Sequence, residues 1–268
     1  MKLQGRAAIV TGGSRGIGRA ICLALAQEGA DVLLGCDRDL AGAHSVAGEI
    51  QALGRRAIAT QADVSHQADV ERMVQQAWVD LTQVDILVNN AGVFIGSPIE
   101  KVREEDWDRV MAVNVKGVLL CCQAVGRRWI QGGTKGAIVN IASIAGRMPE
   151  VNGAAYSPSK AAVLVLTRLL AVEWAKYGIR VNSLSPGPVM TPLQQAAYPT
   201  PQLLAARNRA IPMNRHGTPE EIARLAVFLA SEDAAYVTGA DFAADGGSLI
   251  SMYHLVHELS KHTRSESC

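Results

Sequence analysis

Short apolar runs alternate with longer amphipathic segments along most of the chain, and this alternation constrains the fold more than any other feature. AAIV (7–10), DVLLG (31–35), RAIAT (56–60), DILVN (85–89), AIVNIA (137–142) and RVNSLS (180–185) have the length and continuous apolarity of buried strands. Between them, segments such as 16–28, 67–81, 104–131 and 154–177 repeat hydrophobic residues at helical spacing. DFAAD (241–245) is a candidate seventh strand. Strands alternating with helices need crossover connections, which give a parallel sheet covered on both faces. The expected class is α/β, doubly wound, with about seven strands.

The 268 residues would allow one or two domains by length alone. No Gly/Ser/Pro linker or internal repeat divides them, so 1–247 reads as one domain and 248–268 as an extension. With 49% hydrophobic and 19% charged residues, a large core is expected. A net charge of +1 gives no footprint for nucleic acid or an anionic membrane. The five cysteines, Cys22, Cys36, Cys121, Cys122 and Cys268, form no C-x-x-C pair, so neither a disulfide framework nor a metal site is expected. The N-terminus lacks a secretory apolar core, and 161–175 is too short and too charged to span a bilayer. The expected location is the cytoplasm.

Residues 188–217 interrupt the alternation and contain Pro188, Pro192, Pro199, Pro201 and Pro212. A long irregular segment in a compact domain usually has a function, and this one is placed to be a substrate lid.

The first strand runs into TGGSRGIG (11–18) and then a helix. A helix N-terminus offers unpaired N–H groups and a positive dipole end to a pyrophosphate, and glycines let the backbone approach it closely. Gly12, Gly16 and Gly18 are spaced G-x-x-x-G-x-G, and Ser14, Arg15 and Ile17 complete the turn. The second strand ends in GCDRD (35–39). A carboxylate there accepts from a ribose 2′-hydroxyl and repels a 2′-phosphate, so Asp37 favours NAD. Arg15 and Arg38 pull toward NADP, because guanidinium suits phosphate.

With these residues in place, the sequence resembles the short-chain dehydrogenase/reductase family over about residues 5–247. The motifs run in family order: TGGSRGIG (11–18), DV (63–64), NNAG (89–92), Asn114, Ser143, YSPSK (156–160) and PGPVMT (186–191). The resemblance implies a Rossmann-like fold and NAD(P)-dependent oxidoreductase activity. It implies that Asp63 and Val64 lie near the adenine, and that Asn90, Ala91 and Gly92 support the cofactor. Pro186, Gly187, Val189 and Thr191 would lie along the nicotinamide. Asn114, Ser143, Tyr156 and Lys160 would form a catalytic tetrad, with Asn114 holding a water that links Lys160 to solvent.

The chemistry supports that assignment. A phenol with a pKa near 10 is a poor base at neutral pH, and an adjacent cation lowers it. Tyr156 and Lys160 are four apart and share one helix face, and Pro158 fits the first turn. Ser143 would hold the substrate oxygen against Tyr156.

Glu150 and Asn152 are candidate substrate contacts, with Gln194 also polar and Met148, Val151 and Met190 as apolar wall. The expected substrate is a secondary alcohol of a polyol or sugar, or its ketone. A 3-oxoacyl thioester with NADPH is the first alternative, a steroid alcohol the next, and a non-catalytic dinucleotide sensor the reading of another class. Helices 104–131 and 154–177 resemble those that pair subunits in the family, implying a homo-oligomer, with a tetramer ahead of a dimer. Met252, Leu255, Val256 and Leu259 suggest an amphipathic tail helix that docks on a neighbouring subunit or rims its pocket.

Overall fold

The computed structural model describes residues 1–197 and 200–251. Strands β1 (Ala7–Thr11), β2 (Asp31–Cys36), β3 (Ala57–Gln61), β4 (Ile86–Asn89), β5 (Gly136–Ile141), β6 (Ile179–Pro186) and β7 (Asp241–Ala244) form one parallel sheet. Their spatial order is β3-β2-β1-β4-β5-β6-β7. All seven expected strands form, with ends moved by a residue or two.

The continuous apolarity of the strands has a direct cause. In β1, Ala8 and Val10 face a core shared with α1 (Gly16–Gln27), α2 (Leu40–Ala52) and α9 (Pro219–Ala230). Ala7 and Ile9 face the opposite core, built with α3 (Gln67–Leu81), α5 (Gly117–Gly132) and α6 (Tyr156–Trp174). Successive side chains alternate between two apolar layers, so neither parity can be polar. Each large side chain buried this way contributes about 1.5–3 kcal/mol.

The segment read as one helix over 104–131 is three pieces. α4 (Glu104–Met111) passes into a π turn, Ala112–Lys116, and then into α5. A π turn accommodates one extra residue and re-aims the side chains within it. The whole run, Glu104–Gly132, has the length and apolarity of a membrane span, and half of its most apolar window is buried inside the fold. α6 opens at Tyr156, so Pro158 lies in its first turn, where a missing N–H leaves no broken bond.

The proline-rich excursion contains two short helices, α7 (Pro192–Ala197) and α8 (Pro201–Arg209). Its ends are pinned where Val189 bridges Gly217. Beyond β7 the described chain closes with a single turn, Ser248–Ile250. The amphipathic tail expected over 252–259 lies outside the described residues.

The chain leaves β1 toward β2 and β3, then returns to build outward from β4 on the other side. In such sheets ligands bind where the winding reverses, at the carboxyl ends of the strands. The glycine turn after β1 and the NNAG segment after β4 meet there.

Candidate active site

Close packing explains the glycines of the first turn. Gly12 has φ +66°, a left-handed conformation that L side chains rarely adopt. A Cβ on Gly18 would lie 2.0 Å from the Gly12 carbonyl oxygen and 2.4 Å from Asn90 Nδ2. Gly13 is as constrained, since its Cβ would fall 2.7 Å from Leu34 Cβ. The turn is tied to the next strand end by Asn90, whose Nδ2 donates to the carbonyls of Thr11 (3.0 Å) and Gly12 (2.9 Å). Thr11 Oγ1 accepts in return from the N–H groups of Asn90 and Ala91, both at 3.0 Å. Ser14, Arg15 and Ile17 lead into α1, with Arg15 exposed at its N-cap.

The PGPVMT segment forms the facing wall. A Cβ on Gly16 would lie 3.6 Å from Thr191 Cγ2. Pro186 ends β6, the Gly187 N–H donates to Ala244 O (3.0 Å), and Val189 is buried. These residues fit a dinucleotide: a cradle with no room for Cβ atoms, a helix N-terminus at its base and an opposing loop close by.

At the other end of the groove, Asp37 follows β2 and Asp63 follows β3. Asp39 caps α2, accepting from the Gly42 N–H, so Asp37 is not needed as the cap. Asp63 Oδ1 accepts from Ser65 N (2.9 Å) and Ser65 Oγ (2.7 Å), and its Oδ2 pairs with Arg109 at 2.9 Å. Burial tends to raise the Asp63 pKa, but these donors and the Arg109 charge prevail and hold it at about 2. Arg109 Nη2 also reaches Asp37 Oδ2 at 3.3 Å, as does Arg38 Nε. Val64 is buried against Gly117, where a Cβ would come within 2.7 Å of its Cγ2.

The four residues of the expected tetrad come from the end of β5, from α6 and from the π turn. Ser143 follows β5 and its Oγ accepts from the Ala145 N–H at 3.1 Å. Tyr156 stands at the head of α6, near enough to Ser143 for that side chain to lower its pKa, and packed edge-on against Phe94, with ring centroids 5.1 Å apart. Lys160 Nζ lies 5.7 Å from the centroid of the Tyr156 ring and donates to Ile141 O at 2.9 Å. Asn114, in the π turn, accepts from Val93 N (2.8 Å) and donates to Val93 O (3.0 Å) and Ser159 Oγ (3.0 Å). Gly92 sits among them, and a Cβ there would approach Asn114 Oδ1 to 3.4 Å and Lys160 Nζ to 3.6 Å.

The electrostatics correct one expectation. Desolvation raises the Tyr156 pKa, the Ser143 hydrogen bond opposes that, and the Glu150 charge adds to the rise. Burial lowers Lys160 to about 8. In the free protein the ammonium therefore does not make Tyr156 a low-pKa phenol. Its nitrogen is bound to Ile141 O, and loss of water around the hydroxyl dominates.

Loop 144–153 is joined to 97–98 by the Ser97 N–H to Asn152 O bond (2.8 Å). Glu150 and Asn152 are both exposed there, and Asn152 has φ +62°. A 560 Å³ cavity adjoins this loop, lined by Ile99, Pro149, Glu150, Val151, Asn152 and Pro158 among others, but by none of Ser143, Tyr156 and Lys160. Arg147, the basic residue of the loop, is committed to Asp241, donating to its carbonyl at 2.9 Å and pairing with its carboxylate.

A family model described as enoyl-(acyl carrier protein) reductase matches residues 12–248. The chain is 38% identical over 245 residues to 3beta-hydroxysteroid dehydrogenase 1 of Eggerthella lenta, covering 91% of this chain and 94% of that protein. It is 40% identical over 248 residues to glucose 1-dehydrogenase of Gluconobacter oxydans, covering 92% of each. A crystal structure of a short-chain type dehydrogenase/reductase from Mycobacterium marinum superposes with a TM-score of 0.86, at 36% identity over 92% of this chain and 96% of that one. The chain belongs to the short-chain dehydrogenase/reductase family.

The short-chain dehydrogenase/reductase motifs converge in space as well as in order. Asn114 bonds Ser159 of α6, Lys160 Nζ lies 5.7 Å from the Tyr156 ring centroid, and both approach the position of a Gly92 Cβ. Asn89 holds the sheet to α6: its Nδ2 donates to Asn140 Oδ1 (2.8 Å), and Asn140 Nδ2 donates to Thr167 Oγ1 (2.9 Å). Phe94 and Arg109 lie outside every motif quoted from the sequence, and Thr11 and Ser159 lie within TGGSRGIG and YSPSK without any spacing that singles them out. Among the described residues no cluster of three or more metal-ligating side chains occurs.

Proposed function

We propose that this protein interconverts a secondary alcohol of a polyol or sugar with its ketone, using NAD in preference to NADP. It is an NAD(P)-dependent short-chain alcohol dehydrogenase/ketone reductase. The observation that carries the reading is buried Lys160, its Nζ 5.7 Å from the centroid of the Tyr156 ring on the same helix face, with Ser143 close enough to influence the Tyr156 hydroxyl.

A nicotinamide held between the glycine turn and the PGPVMT segment would supply or accept the hydride. Ser143 donates to or accepts from the substrate oxygen and holds it at the Tyr156 hydroxyl. Tyr156 delivers a proton to that oxygen in reduction and removes it in oxidation. Once the groove is occupied Lys160 favours the phenolate, which in the free protein it does not, and the Val93 and Ser159 bonds fix Asn114 beside it. Gln194 and the 188–217 excursion, as a lid, limit water.

Two features support a neutral polyhydroxy substrate. Glu150 places a negative charge close enough to influence Tyr156, which disfavours an anionic substrate. Arg147, bound to Asp241, is not available to hold a carboxylate or phosphate. The kinship with glucose 1-dehydrogenase points the same way. Asp37 supports NAD. A 3-oxoacyl thioester with NADPH is the second reading, favoured by Arg38 and Arg109 beside Asp37. The protein acts as a cytoplasmic homotetramer. The face of α6 carrying exposed Val165, Leu169 and Val172 supports subunit pairing.

Nicotinamide absorbance would be followed with polyols, sugars, 3-oxoacyl thioesters and steroid alcohols, each with NAD(H) and NADP(H). Polyol or sugar turnover with NAD is expected. Turnover confined to thioesters with NADPH would replace this reading with the second.

A further inference from the structure

Arg109 belongs to α4, five residues before Asn114, and the chemistry above does not use it. Its Nη1 donates to Asp63 Oδ2 at 2.9 Å and to Ser65 Oγ at 3.3 Å, while Nη2 reaches Asp37 Oδ2 at 3.3 Å. One guanidinium thereby joins the ends of β2 and β3, where the adenosine half of a dinucleotide would lie. Arg38 approaches the same Asp37 oxygen, but its side chain is 85% exposed against 32% for Arg109. Charges in solvent are screened, so Arg109 is the more effective partner of the two carboxylates.

We propose that Arg109 sets the breadth of dinucleotide choice: by offsetting Asp37 and Asp63, it lets the adenosine end admit a 2′-phosphate as well as a free 2′-hydroxyl. The inference rests on the reading of Asp37 as the residue that faces the ribose. Its sign follows from charge alone. With Arg109 present, two carboxylates are balanced by two guanidiniums. Without it, a net negative pocket meets an incoming dianionic group. Two unit charges about 8 Å apart at an effective dielectric near 20 change an affinity roughly thirtyfold, and screening brings that to about tenfold. A ribose hydroxyl carries no charge, so NAD is largely spared.

The test titrates NADH and NADPH, by nicotinamide fluorescence without substrate, into the wild type, R109Q, R109K and D37N. R109Q is expected to raise the Kd of NADPH about tenfold more than that of NADH, whereas R109K keeps the wild-type ratio within about threefold. Equal weakening of both cofactors would assign Arg109 a merely structural role and overturn the inference. D37N should move the ratio toward NADPH. If D37N does so and R109Q does not, the inference alone fails. If neither moves the ratio, the ribose reading of Asp37 fails with it. Should R109Q not fold, wild-type affinities at low and high salt decide the sign. NADPH binding that weakens with salt more steeply than NADH binding supports a compensated pocket. NADPH binding that improves with salt contradicts it.

Discussion

The two ends of the groove are built on different principles. At the reactive end, Lys160 and Asn114 are buried and their polar atoms are bonded to backbone or to Ser159. At the adenosine end, Asp37, Asp63, Arg38 and Arg109 are charged groups held partly in solvent. Buried hydrogen bonds fix geometry and resist substitution, while part-exposed charges are weaker and tunable. The proposed chemistry is thus held rigidly, and the proposed cofactor choice is left adjustable.

The largest expected effect on cofactor binding lies between the two ends. Gly18→Ala pushes a methyl into the Gly12 carbonyl and the Asn90 amide, so the turn must move. Overpacking of that kind costs roughly 1–3 kcal/mol, and dinucleotide Kd should rise by about ten- to a hundredfold as the cradle opens. Isothermal titration with NADH would show it.

Lys160→Met sharpens the contrast at the reactive end. Turnover should fall by about three orders of magnitude, since the proton-transfer step loses its cation. The fold should nevertheless gain stability. A pKa lowered from 10.5 to about 8 means burial opposes the ammonium. That opposition is worth roughly 3 kcal/mol near pH 7, partly offset by the lost bond to Ile141 O, leaving a net gain of about 1–2 kcal/mol. Between pH 8 and 10.5 the unfolded chain binds more protons at Lys160 than the folded one does. The wild type therefore gains stability from this group as pH rises through that window, and the variant does not. Denaturant melts at about pH 7 and about pH 10 read both effects.

Phe94→Leu gives the smallest change. Loss of the edge-on contact with Tyr156 removes about 0.5–1.5 kcal/mol of ring packing. Substrate KM should rise a few-fold while NADH affinity stays unchanged. A parallel loss of cofactor affinity would show that the two ends are not separable.

The sheet was legible because its strands, apart from the edge strands β3 and β7, are buried on both faces, which writes them as continuous apolar runs such as DVLLG. The site was legible where chemistry imposes local spacing, as in TGGSRGIG and YSPSK. What escaped was set by tertiary contact. The π turn at Asn114 is invisible to a helical period, because the extra residue leaves the apolar pattern on either side intact. Arg109 reads as one more solvated charge on α4 until the ends of β2 and β3 are brought beside it. The pKa direction of Tyr156 depended on desolvation, which a four-residue spacing cannot express.

Tyr156 is the group on which the proposed proton transfer depends. The most direct test measures, on one preparation of Tyr156→Phe, both turnover of the best substrate and the Kd for NADH. A fall in kcat of about a thousandfold with Kd within a few-fold of wild type is the expected result. Turnover that survives the loss of the hydroxyl would contradict the mechanism.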